Sequence, residues 1–130
     1  MKFSIVVQGA PYSSEASLSA LHFTRAVLQA GHQIYRVFFY QDGVYNGNTL
    51  VAPPQDEIDI VKEWSTFATK NDIELIACIA SSLRRGLLDE TEADRYEKPA
   101  ANIADGFTIS GLGQLIDACI ESDRVMTFGA

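Results

Sequence analysis

An α/β sandwich with a mostly parallel sheet is the fold class this 130-residue chain predicts. Three observations carry the prediction. Strand-like and helix-like segments alternate along the chain. The run Val37-Phe38-Phe39-Tyr40 is continuously apolar or aromatic, as in a sheet covered on both faces. The length suits one compact domain over residues 1–130. Hydrophobic residues at 47% and charged residues at 21% allow a sizeable core and exclude a disordered chain.

The elements follow in order. Residues 2–8 read as a buried strand. Ser13 or Ser14 caps a helix with Glu15 in its first turn, and Ala16, Ala20, Phe23, Val27 and Ala30 recur at helical spacing until Gly31 stops it. Residues 34–40 form the second strand. The polar, glycine-containing stretch 41–48 is long for a connection and reads as a lid or an interface. Pro53-Pro54 precedes a helix over 56–70 whose stripe is Ile58, Val61, Trp64, Phe67 and Ala68. A third strand over 72–79 places Cys78 at its carboxyl end, and Ala80 to Arg85 is helix-compatible up to Gly86. The acidic stretch 88–94 reads as a short helix or loop on the surface, and 99–105 as a connection. A short strand over 107–109 leads into a last helix with Leu112, Leu115, Ile116, Cys119 and Ile120 at helical offsets, and residues 123–128 close the chain as a fifth strand.

Charge and cysteine usage narrow the function. Ten Lys and Arg against seventeen Asp and Glu give a net charge of −7, which repels a bare phosphate backbone, so no direct nucleic-acid contact is expected. No apolar run approaches the roughly 18 to 20 residues that cross a bilayer, and the first residues lack a leader pattern, which predicts a cytoplasmic protein without membrane contact. Cys78 and Cys119 lie far apart, outside zinc-site or C-x-x-C spacing, and stand as separate thiols.

Ligands of parallel sheets gather at the carboxyl ends of the strands. The informative residues are therefore 8–12, 40–42, 78–80 and 109–111, and Cys78 is the strong nucleophile among them. A thiol at a strand-to-helix junction meets backbone N–H groups and the positive end of the helix dipole, both of which favour an anionic sulfur. The alternative is that Cys78 is a small buried hydrophobe. Cys119 falls within the last helix's apolar stripe and reads as core. His22 and His32 read as solvated or structural, which leaves a Cys–His hydrolase without a base. Residues 111–116 have two glycines of a dinucleotide fingerprint but Ile116 at the third position, and residues 9–14 lack a phosphate-loop lysine. A phospho-receiver would need acidic residues where Gln8-Gly9 and Cys78 stand.

Three stretches together, 36–46 (Arg-Val-Phe-Phe-Tyr-Gln-Asp-Gly-Val-Tyr-Asn), 78–86 (Cys-Ile-Ala-Ser-Ser-Leu-Arg-Arg-Gly) and 106–115 (Gly-Phe-Thr-Ile-Ser-Gly-Leu-Gly-Gln-Leu), resemble the TusD/DsrE family of small sulfur-carrier proteins in order and spacing over nearly the whole length. The resemblance implies a three-layer α/β/α sandwich of five strands forming one DsrE-like domain over 1–130. It also implies that Cys78 carries a transferred sulfur as a persulfide, with no metal or organic cofactor. Ala80, Ser81, Ser82, Arg85, Tyr12 and Ser110 are the residues expected to support the thiolate or face a partner. Members associate with TusB-like and TusC-like subunits in a heterohexamer, take sulfur from a TusA-like donor, and pass it to a TusE-like acceptor for 2-thiouridine synthesis in tRNA. The DsrE branch serves dissimilatory sulfur oxidation instead. From another class, a noncatalytic assembly subunit with an incidental, buried Cys78 would use the aromatic run Val37 to Tyr40 and the Val44-Tyr45 loop as its interface. A flavodoxin-shaped redox or hydrolytic enzyme ranks behind both.

Overall fold

The computed structural model describes residues 1–129. Its strands are β1 (Lys2–Val7), β2 (Gln33–Phe39), β3 (Leu75–Cys78), β4 (Phe107–Ser110) and β5 (Arg124–Phe128), and its helices are α1 (Ala16–Gln29), α2 (Ile60–Asn71), α3 (Ile79–Arg84), α4 (Glu90–Arg95) and α5 (Gly113–Glu121), with a 3-10 helix at Gln41–Gly47. The sheet order is β4-β3-β2-β1-β5, and every pairing is parallel. Right-handed crossovers fix the layers. From β1 through β4 the chain steps steadily toward one edge, so α1 to α4 share a face. The return from β4 to β5 at the opposite edge sends α5 to the other face. This is the α/β/α sandwich of the sequence reading, with the sheet parallel throughout.

The covered faces explain the continuous apolar strands. Trp64 packs edge-on against Phe39 with ring centroids 5.1 Å apart, and Phe39 meets Phe107 at 5.0 Å. Ile5, Val7, Leu21, Val37 and Leu75 are fully buried around them. Side chains of this size each contribute about 1.5–3 kcal/mol on burial.

Helix starts differ from the sequence reading for local reasons. Glu15 is the N-cap of α1 and not part of its first turn, while the Ala16 N–H donates to Ser14 Oγ at 3.3 Å. The start of α2 falls at Ile60 because the Asp59 carboxylate accepts from the Lys62 N–H at 3.1 Å and caps it there. Ile58 therefore precedes the helix and is exposed.

The largest departure concerns α5. Its sheet-facing attachments are polar: Arg36, 7% exposed on β2, is ion-paired with Glu74 and Asp117 and donates to the Gln114 carbonyl at 2.7 Å. The Tyr35 hydroxyl donates to Asp117 as well, at 2.6 Å. These bonds turn Gln114, Asp117 and the buried Ala118 toward the sheet, so Leu112, Ile116 and Ile120 face outward at 47%, 61% and 74% exposure. Cys119, expected in the core, is exposed for the same reason. Hydrogen bonds from Tyr35, then Arg36, hold the Asp117 carboxyl below its ordinary pKa, while the Asp117 bond raises that of Tyr35. Burial opposes the Arg36 charge, but its bonds to Glu74 and Asp117 outweigh that and raise its pKa.

Candidate functional site

Parallel pairing brings the carboxyl ends of all five strands to one edge, and Cys78 lies there as the last residue of β3 and the N-cap of α3. Its neighbour across the β3–β4 ladder is the half-buried Ser110, which the sequence reading had placed at the site. Capping geometry leaves the N–H groups of Ile79, Ala80 and Ser81 without α-helical partners, whereas Ser82 is the first residue whose N–H can reach back to the Cys78 carbonyl. Ala80 is exposed, while Ser81 and Ser82 are buried. The Ser82 hydroxyl, one turn beyond Cys78, is fully buried and has no hydrogen-bond partner among the described residues. The thiol itself is only 2% exposed.

The segment read as a lid or interface is a packed wall of this site. Gly43 sits so close to the end of β1 that a Cβ there would lie 1.9 Å from the Val7 carbonyl oxygen. Asn46, fully buried, donates to the Gly43 carbonyl at 2.8 Å and to Ser17 Oγ at 3.0 Å, and Ser17 donates onward to the Gly9 carbonyl. On the α3 side, Gln41 takes a left-handed φ of 51° and directs its N–H to Ser81 Oγ at 3.0 Å. Arg85 donates to Asp42 at 2.8 Å and to the Ser81 carbonyl at 3.2 Å. Arg85 is thus the arginine of the pair that closes the site, and Arg84 points into a separate cleft with Leu83, Leu88, Tyr96 and Lys98.

Tyr12 belongs elsewhere. At a φ of 71°, its hydroxyl donates to the Ile58 carbonyl and accepts from the Ile60 N–H, which ties the β1–α1 loop to the start of α2. It borders a cavity of about 510 Å³ with Ser13, Glu15, Leu18 and Glu57. Two strand spacings of about 4.8 Å separate β1 from β3. Sequence reasoning placed Asp42 among the strand-end residues but did not single out Gly43, Asn46 or Ser17; the glycine and asparagine density of 41–48 was the available signal, read there as a lid or an interface. Among the described residues no cluster of His, Cys, Asp and Glu is arranged to hold a metal ion, and no helix is long and apolar enough to cross a membrane.

A small parallel α/β sandwich with a lone thiol at the β3–α3 junction is the class that fold and site define. Residues 1–128 match the DsrE/DsrF-like family, and the chain belongs to it. It is 47% identical over 129 residues to the DsrE protein of Allochromatium vinosum, covering 99% of each chain. It is equally 47% identical over 128 residues to sulfurtransferase TusD of Salmonella typhi, covering 98% of this chain and all of that one. The crystal structure of the ychN protein of E. coli superposes with a TM-score of 0.79 at 24% identity, over 98% of this chain and 99% of that one, and shares the fold.

Proposed function

We propose that this chain is a persulfide sulfurtransferase subunit in which Cys78 receives and releases sulfane sulfur. The carrying observation is the placement of Cys78 at the β3–α3 junction in a chain that matches sulfurtransferase TusD end to end. In the first step the Cys78 thiolate attacks the outer sulfur of a donor persulfide. The donor's S–S bond breaks, its inner sulfur leaves as thiolate, and Cys78 holds the persulfide. In the second step an acceptor thiolate attacks that outer sulfur and Cys78 leaves as thiolate. One S–S bond forms and one breaks each time, so no external oxidant or reductant is required.

Burial decides how this happens. At 2% exposure the thiol meets a partner only when the β3–α3 junction opens locally. A six-residue helix is well below the length at which helices hold by themselves, so its opening is inexpensive compared with global unfolding. The free amides of Ile79 to Ser81 and the unpartnered Ser82 hydroxyl then supply donors to the sulfur anion.

The single DsrE-like domain over 1–130 works with companion subunits in the cytoplasm, in the pathway that thiolates the wobble uridine of tRNA. TusB-like and TusC-like subunits, a TusA-like donor and a TusE-like acceptor are the expected partners. The outward stripe of Leu112, Ile116 and Ile120 is surface of the kind subunit association covers. The net charge of −7 suits a protein that hands sulfur to another protein without gripping tRNA. Tyr12, at half exposure, is a partner-facing residue away from the thiol.

A second reading, an assembly subunit with an inert cysteine, is favoured by the burial of Cys78 and the apolar face of α5, although Val37 to Phe39 and Val44, expected at its interface, lie buried in the core. Deleting the gene and complementing with wild type or Cys78→Ser, with 2-thiouridine quantified in tRNA digests, separates the readings. Rescue by wild type alone is expected. Rescue by Cys78→Ser would install the assembly reading, and unchanged 2-thiouridine on deletion would redirect the relay toward sulfur oxidation.

A further inference from the structure

Arg84, Tyr96 and Lys98 rim a cleft of about 300 Å³ floored by Leu83 and Leu88. Within an acidic protein, this cleft has two exposed cations, neither with a carboxylate within ion-pairing distance among the described residues. Tyr96 is 52% exposed beside them. The cations are not required by the helix ends that carry them. The last carbonyls of α3 already accept from the N–H groups of Arg85, Gly86 and Leu87, and those of α4 from Tyr96, Glu97 and Lys98. The same turns, with Gly86 at φ 77° and Glu97 at φ 54°, fix the backbone on both sides of the cleft.

We infer that this cleft docks a short acidic segment, carrying one large apolar side chain, from a protein that exchanges sulfur with Cys78. The inference rests on the relay reading above and names how the partner is held. Two unpaired cations call for carboxylates, and Leu83, Leu88 and the Tyr96 ring call for an apolar side chain between them. A short segment suits the surface better than a nucleic-acid strand, because the exposed carboxylates Glu90 and Asp94 on α4 and Glu97 between Tyr96 and Lys98 oppose an extended polyanion. Position supplies the link to chemistry. The six residues of α3 separate Arg84 from Cys78 by about 9 Å along the axis, a span that about three extended residues cover. The acidic residues of the partner therefore lie about three positions from its reactive cysteine.

The test is amide NMR of the full chain titrated with a synthetic peptide bearing one cysteine, one glycine, a leucine and two glutamates in that order, and with its glutamine counterpart. The glutamate peptide is expected to shift amides of residues 83–88 and 96–98. Binding should weaken about tenfold in Arg84→Glu/Lys98→Glu, and again as salt rises from about 50 to about 500 mM. The milder Arg84→Gln/Lys98→Gln pair, checked for a folded spectrum, should fall in between. Equal shifts from the glutamine peptide, shifts centred elsewhere, none at about 10 mM, or the same shifts from inorganic phosphate or an RNA oligonucleotide would overturn the inference. Mass measurement of wild-type Cys78 after exposure to glutathione persulfide reports on the relay reading separately. A chain that takes up sulfur but ignores the peptide loses only the docking cleft.

Discussion

Replacing Gly43 by alanine adds a methyl carbon 1.9 Å from the Val7 carbonyl oxygen, 2.7 Å from its carbonyl carbon and 3.2 Å from the Gln8 nitrogen. Gly43 does not need a left-handed backbone, so the cost is steric. Relief to even 3.0 Å requires a shift of 3.0 − 1.9 = 1.1 Å between two backbone segments, with no flexible side chain to yield. That displacement breaks the bonds from the Gly43 N–H to Tyr40 and from the Tyr40 N–H to Val7, each 2.9 Å in the native structure. Two hydrogen bonds at about 1 kcal/mol each, with overpacking of about 1–3 kcal/mol, give a loss of about 3–5 kcal/mol. For a domain of this size the midpoint falls by about 10–20 °C. Thermal and urea unfolding followed by circular dichroism measure it. A Gly43→Ala protein within about 0.5 kcal/mol of wild type would refute the packed-wall description and restore a loosely held lid.

Native-state alkylation should modify the exposed Cys119 rapidly and the buried Cys78 slowly. Asp42→Asn removes the Arg85 ion pair, worth about 0.5–1 kcal/mol at this exposure, and should raise Cys78 alkylation about two- to fivefold with little change in unfolding midpoint. Ser82→Ala should preserve or raise the midpoint, because the buried hydroxyl has no partner, yet slow sulfur uptake measured by timed mass spectrometry. Asp117, with its pKa depressed below the ordinary 3.8, adds stability that is complete above that value and is lost as pH falls through its folded-state value. Asp117→Asn should accordingly be less stable than wild type near neutral pH, with the deficit shrinking as urea unfolding is repeated on the acid side of 3.8.

The strands and most helices were legible because they follow from burial. Val37 to Phe39 and Leu75 to Cys78 are apolar throughout since both sheet faces are covered, and the Trp64–Phe67–Ala68 stripe lies against that sheet. The orientation of α5 was not legible by the same logic. Arg36, Tyr35, Gln114 and Asp117 form an attachment from residues about 80 positions apart in the chain, and hydrophobic periodicity alone turned the helix to the wrong side. The error moved Cys119 from the surface into the core. At the site, the positions of Cys78 and Ser110 at carboxyl strand ends were readable from the strand-to-helix transitions, but the pairing of their strands was not, because no sequence pattern states which parallel strands lie side by side. Its closure was not, since that depends on Asp42 meeting Arg85 and on the Gly43 approach to Val7, contacts between segments with no shared sequence pattern.

Intact-protein mass measurement after exposure to a persulfide-charged carrier, on wild type, Cys78→Ser and Cys119→Ser, with and without reductant, tests the central claim most directly. A reductant-sensitive gain of one sulfur in wild type and Cys119→Ser, absent in Cys78→Ser, is the predicted result. Retention of the added sulfur in Cys78→Ser, or no gain in any of the three with companion subunits present, would contradict it.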